Sequence, residues 1–301
     1  MKFKELSKKW KVTVVVLSVL TILFIAIIGV FNVFLNSYRK NNADMRAVLR
    51  KGDSELIGRR FEVPRGHKKS VNVNLYIPNN PEEDKLPVIF NIHGGGFVGG
   101  DADVLDTQSD RIANEWNVIV VTVNYTKADV EPIAYGAEEI KDTVLYFANN
   151  ANTYNADATK FSVMGYSAGA FYSAEATKLL EKSHFNIESL ILCYPWTVGL
   201  RTEDLNQEWP ATLFILAGQD PISQKAKSYV ASMKDVGIHT EVMEYKNAVH
   251  SFIESNNPEG QKDTSFEMKN VINTEQESLA RQAENDIKEW IDSITASLSG
   301  S

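Results

Sequence analysis

A single cysteine, Cys193, stands in a chain of 301 residues. One thiol builds no intrachain disulfide framework and gives no basis for a cysteine-bound zinc site. H-E-x-x-H is absent, as is any Cys/His cluster, so neither a metal ion nor another cofactor is expected. Basic residues are scarce across most of the chain: residues 52–301 hold 21 Lys and Arg against 37 Asp and Glu. That argues against nucleic acid, which rewards clustered Lys and Arg through counterion release. Apolar residues at 44% and charged residues at 23% are ordinary for a globular protein. They exclude wholesale disorder and a many-span membrane protein. No internal repeat or low-complexity tract is found. A cysteine-poor chain suits either side of a membrane.

Charge of either sign is missing from Val12 to Tyr38. Within this stretch, Val12–Leu35 reads VTVVVLSVLTILFIAIIGVFNVFL, which as a helix rises roughly 36 Å and crosses a hydrocarbon core of about 30 Å. A cleaved signal peptide has a shorter apolar region ending in a small-x-small site. Here the run ends on the bulky VFNVF, so an uncleaved signal anchor is expected. Lys2, Lys4, Lys8, Lys9 and Lys11 precede it, while Arg39, Lys40, Arg46, Arg50 and Lys51 follow. The flanking count ties, and the basic lead places the N-terminus inside and the body outside the cytoplasm. The expected organisation is a basic segment at 1–11, a membrane anchor at 12–35, a polar connector or short helix at 36–53, and a folded domain at 54–301.

In that domain, strand-like and helix-like segments alternate. Val71–Ile77 alternates apolar and polar residues, as a strand with one wet face does. Pro87–Ile92, Val118–Val123, Phe161–Met164, Leu190–Cys193 and Thr212–Leu216 are short apolar runs of the kind found in buried parallel strands. Helical stretches fall at Thr107–Trp116, Ala134–Asn149, Ala168–Lys182, Ser223–Val236 and Thr274–Leu298. This alternation implies an α/β domain, its mostly parallel sheet covered on both faces.

Gly165-Tyr166-Ser167-Ala168-Gly169 fits G-x-S-x-G between a strand and a helix. Small residues there permit a strained turn that projects a serine hydroxyl above the sheet edge; the bland alternative is an N-cap serine. A serine needs a base. Of His67, His93, His184, His239 and His250, only His250 lies on a loop between the likely last strand, Thr240–Tyr245, and the final helix. Asp220 follows the strand TLFIL and precedes His250 by 30 residues, giving the order Ser, Asp, His found in α/β-hydrolases. Asp before Pro also initiates turns, and Asp235 is set aside because it lies in a predicted helix. His93-Gly94-Gly95-Gly96-Phe97 follows the strand PVIFNI. Consecutive glycines let backbone N–H groups approach a developing oxyanion. A phosphate loop of the G-x-x-x-x-G-K-[ST] type would need a lysine that is absent.

Taken together, HGGGF, GYSAG, AGQDP and the His250 loop resemble the hormone-sensitive-lipase-like esterase and lipase branch of the α/β-hydrolase fold, over roughly residues 55–297. The resemblance implies Ser167 as nucleophile, His250 as base and acid, and Asp220 as the orienting carboxylate. It makes Gly95, Gly96 and Ala168 the oxyanion-hole donors, with His93 bracing the loop and Gly94, Gly165 and Gly169 in support. Two departures stand out. Tyr166 replaces the acidic residue common before the serine, and only Trp196–Pro210 is available where the family often inserts a cap. Phe97, Tyr166 and Trp196 are the expected pocket walls. The expected activity is a membrane-anchored serine carboxylesterase acting on a small short-acyl ester. A carbohydrate acetyl esterase, a non-catalytic binding domain and a serine peptidase of the same fold are the alternatives.

Overall fold

The computed structural model describes residues 7–256 and 270–299. The first six residues of the basic lead, including Lys2 and Lys4, lie outside them. Two compact units are formed, Met1–Ala47 and Val48–Ser301.

The first unit is the long helix α1 (Lys8–Leu49), long and apolar enough to cross a membrane. Three hydroxyls in its apolar run turn inward on their own backbone. Thr13, Ser18 and Thr21 donate to the carbonyls of Lys9, Val14 and Leu17 at 3.1, 2.9 and 2.9 Å. Hydroxyls satisfied in this way need no water, which is what a hydrocarbon environment demands. The helix runs through most of the expected connector, because no Gly or Pro interrupts 36–49 and Lys40 pairs with Asp44 one turn on.

The second unit is built on one eight-stranded sheet. Its elements in chain order are β1 (Arg59–Arg65), β2 (Lys68–Tyr76), β3 (Leu86–Ile92), α2 (Asp106–Trp116), β4 (Ile119–Val123), α3 (Ile133–Asn149), the one-turn α4 (Ala151–Tyr154), β5 (Ala156–Tyr166), α5 (Ala168–Lys182), β6 (Ser189–Cys193), β7 (Ala211–Ala217), α6 (Pro221–Asp235), β8 (Thr240–Tyr245) and α7 (Thr274–Ser299). The strand order is β1-β2-β4-β3-β5-β6-β7-β8. The two pairings of β2 are antiparallel and all later ones parallel. The sheet is therefore mostly parallel, as expected.

Two apolar layers sandwich it. Val88, Phe90 and Ile92 of β3 join Ile140 and Phe147 of α3, Leu180 of α5 and Met233 of α6 on one face. Ile89 meets Ile112 of α2 and Ile287 and Trp290 of α7 on the other. Side chains two apart along a strand share a face, so one strand feeds both layers. β1 has no counterpart among the strand-like segments of the sequence, because RRFEVPR carries charges and a proline, features an edge strand tolerates. The expected wet face of β2 is covered: Asn74 is buried and donates to Asp103 Oδ1 at 2.9 Å.

Candidate active site

Parallel strands end on the same edge of the sheet, and the loops beyond that edge gather distant residues. His93 follows β3, Ser167 follows β5, Asp220 follows β7, and His250 lies beyond β8.

Ser167 adopts φ 52° and ψ −116° as the N-cap of α5. A non-glycine residue in that region is strained, and its surroundings hold it there. Its N–H donates to Cys193 O at 3.0 Å, and its carbonyl accepts from Ala170 and Trp196 at 3.1 and 3.3 Å. A side chain at Gly165 would overlap Ser173 and the backbone of Gly169, and one at Gly169 would overlap the carbonyls of Ile92 and His93. The two glycines thus let α5 start directly against β3 and β5.

Ser167 Oγ–H donates to His250 Nε2 at 2.8 Å. His250 Nδ1–H donates to Asp220 Oδ2 at 2.6 Å. Asp220 is 3% exposed and also caps α6, accepting from the N–H groups of Ile222 and Ser223 at 2.9 and 3.1 Å. Burial alone would raise its pKa. The His250 hydrogen bond and charge, with the two N–H donors, outweigh that and hold it below the usual carboxylate range. One carboxylate thus both caps α6 and accepts from His250. Asp235 lies at the end of α6, and among the other histidines His67 and His184 are exposed while His239 pairs with Glu241.

The glycine loop lies beside the elbow. A Cβ at Gly94 would come within 3.1 Å of Tyr166 O and 3.4 Å of Ser167 Cβ. Gly95 and Gly96 take φ 132° and 58°, conformations that favour glycine, and Gly99 N–H closes the turn on Gly95 O at 2.7 Å. Among the described residues no acceptor takes the Gly95 or Gly96 N–H, and Ala168 N–H opens α5, where the first N–H groups lack helical partners. Three donors are therefore available near Ser167. Gly94, Gly96 and Gly99 also carry dinucleotide-loop spacing, but a helix should open directly from such a loop, and α2 starts only at Asp106.

Of the three expected pocket walls, two are brought together. Phe97 packs edge-on against Trp196 and Phe171, at centroid distances of 6.2 and 5.4 Å. Tyr166 is not a wall. It is fully buried, in the layer between the sheet and α2 and α7, with its ring 6.1 Å from Tyr194. As the last residue of β5, it follows the strand's alternation into the core. Cys193 is buried too, and burial pushes its thiol well above the ordinary range, away from nucleophilic use.

Several residues around the site escaped the sequence reading. Gln276 of α7 accepts from Val249 N–H at 3.0 Å and donates to Asn247 O at 2.8 Å, clamping the His250 loop. Tyr194 sets its ring edge-on to His250 at 5.2 Å and donates its hydroxyl to Glu254. Burial raises Glu254 to about 8. Lys127, buried, reaches His93. None of these carries a local motif. Among the described residues no group of three or more His, Cys, Asp or Glu is arranged to hold a metal ion.

A family model described as the alpha/beta hydrolase fold matches residues 89–210, from β3 through the elbow. The chain has the α/β-hydrolase fold. A versiconal hemiacetal acetate esterase of Dothistroma septosporum is 23% identical over 222 residues, covering 57% of this chain and 68% of that one. An acetyl esterase of Salmonella schwarzengrund is 26% identical over 129 residues, covering 42% and 38%. The chain spans between 30% and 68% of the length of such curated relatives. Among solved structures, a fungal esterase from Rhizomucor miehei superposes with a TM-score of 0.67 at 20% identity, over 88% of this chain and 92% of that one.

Proposed function

We propose that this α/β hydrolase is a serine carboxylesterase, held at a membrane by α1 with its N-terminus inside, that cleaves short-acyl esters. The observation that carries the reading is the hydrogen-bonded line Ser167–His250–Asp220 on a strained elbow. In the forward step His250 Nε2 takes the Ser167 proton as Oγ bonds to the ester carbonyl carbon, and the carbonyl electron pair moves onto oxygen. Gly95, Gly96 and Ala168 N–H groups receive that oxyanion. His250 then protonates the departing alkoxide, leaving an acyl-serine. Water, deprotonated by His250, attacks the acyl carbon, and collapse releases the acid and regenerates Ser167. Asp220 keeps Nδ1 protonated, so that Nε2 faces the serine as an acceptor.

Two observations favour a short acyl group. The Trp196–Pro210 connection holds one 3₁₀ turn, Thr202–Asp204, and buries Leu205 and Trp209 in the core instead of forming a lid. Two relatives are named for acetate or acetyl esters. Long acyl chains need an enclosure that buries most of their surface, at about 0.8 kcal/mol per CH₂. The acetyl esterase relative supports an acetyl group as the acyl part; an acetylated sugar as the ester that carries it is the second reading. The test is hydrolysis of p-nitrophenyl esters from acetate to palmitate and of acetylated sugars, with fluorophosphonate labelling of Ser167. Hydrolysis is expected from acetyl to butyryl, abolished in Ser167→Ala. Residual activity in that variant, or a kcat/KM still climbing at palmitate, overturns the corresponding part of the reading.

A further inference from the structure

Lys127 is 4% exposed on the stretch that follows β4. Its ammonium lies 3.1 Å from His93 Nε2, 3.0 Å from Asn124 Oδ1 and 2.5 Å from Tyr125 O, and 4.2 Å above the Tyr125 ring. His93 is fully buried and stacked on the same ring, at 4.4 Å and 11°. Its Nδ1 lies 2.6 Å from Gly94 O.

These contacts fix the tautomer. A carbonyl only accepts, so Nδ1 carries the hydrogen; an ammonium only donates, so Nε2 offers its lone pair. Burial, and next the charge of Lys127, hold the imidazole pKa well below its ordinary value, so the ring stays neutral. Beyond the ring, the Gly94 carbonyl and the Gly95 N–H belong to one planar trans peptide and point in opposite directions. Tying the oxygen to His93 therefore aims the N–H away from the ring. Gly100 closes behind, where any Cβ would overlap Gly94 O and His93 Nδ1. A cation at the far end of such a chain polarises each hydrogen bond along it.

We propose that Lys127 is a positioning residue for the oxyanion hole, aiming and polarising the Gly95 N–H through His93 and the Gly94 carbonyl. The proposal rests on the esterase reading above. Nothing local in the sequence marks this lysine, and burying its charge costs stability that a methionine would not forfeit. Asn124 steadies it from the side, itself donating to buried Asp101 at 2.8 Å.

The test uses full-length protein in detergent with Lys127→Met and Lys127→Gln. For Lys127→Met, kcat for p-nitrophenyl acetate should fall about 10- to 100-fold, less than the loss of a whole oxyanion-hole donor, with KM within about twofold. Affinity for phenylboronic acid, which mimics the tetrahedral oxyanion, should fall in parallel. The ¹⁵N spectrum of the His93 ring should keep the Nδ1–H form, which the Gly94 carbonyl dictates, but shift at Nε2 as that nitrogen loses its donor. Lys127→Gln keeps an N–H donor for Nε2 without the charge, so it should restore part of that shift and only part of kcat. Wild-type kcat and boronate affinity in Lys127→Met would overturn the proposal and leave the esterase reading standing. An Nε2 resonance unshifted in that variant would overturn it as well. A wild-type protein that neither hydrolyses esters nor labels at Ser167 would overturn both.

Discussion

Ser167 makes the elbow testable without any substrate. At φ 52° and ψ −116° a residue with a Cβ carries strain of about 1–3 kcal/mol. Glycine at this position relieves it, but loses more backbone freedom on folding, about 0.5–1 kcal/mol. Ser167→Ala keeps the strain and Ser167→Gly removes it. Both lose the hydroxyl bonded to His250 at 2.8 Å, so that loss cancels in the comparison. At the middle of both ranges the glycine variant should then be more stable than the alanine variant by about 1 kcal/mol, and at most by about 2.5 kcal/mol. For a domain of this size that is a Tm higher by about 2–4 °C, and at most by about 10 °C. Calorimetry of the two variants in the same detergent reads the difference, and urea titration checks that the m-value is unchanged. Both variants should be inactive. A glycine variant less stable than the alanine variant would refute a strained elbow and with it the structural case for Ser167 as nucleophile.

Asp220→Asn retains a carbonyl oxygen for the cap of α6 but favours the wrong imidazole tautomer; turnover should fall on the order of 10⁴-fold with a stability loss under about 1 kcal/mol, and near-normal turnover would point to a different acid. Glu254, raised from 4.5 to about 8 by burial, binds its proton more tightly folded than unfolded. Its effect on stability therefore runs downward as pH rises from about 4.5 to about 8. Glu254→Gln should flatten that slope in denaturation series at stepped pH, and an unaltered slope would mean the carboxyl is ionised throughout. Removing residues 1–35 should release a soluble body with full activity, since α1 supplies no residue to Ser167, His250 or Asp220; an unfolded or inactive fragment, scored by sedimentation and turnover, would contradict the division.

Much of this protein is written in short stretches. GYSAG marks its own turn, because Gly165 and Gly169 leave room for the helix to start against the strand where any Cβ would overlap. HGGGF does the same for a loop with positive φ, and Val12–Leu35 for a long apolar helix. Helix α5 and strand β8 have the ends that the sequence indicates, Ala168–Lys182 and Thr240–Tyr245, since each is bounded by local breakers or a cap. What only the tertiary structure decided concerns residues whose neighbours come from other strands. Tyr166 reads as a pocket wall beside Ser167, yet the alternation of β5 sends its side chain through to the far layer. Lys127 carries no local mark, and gains its partner only when β3 and β4 pair in parallel and bring His93 within 3.1 Å of it. Gln276 carries none either, and becomes a clamp on the His250 loop only once α7 packs back across the sheet. Backbone conformation answers to residues a few places apart, whereas burial and partnership answer to the order of strands in the sheet, which no local stretch of sequence contains.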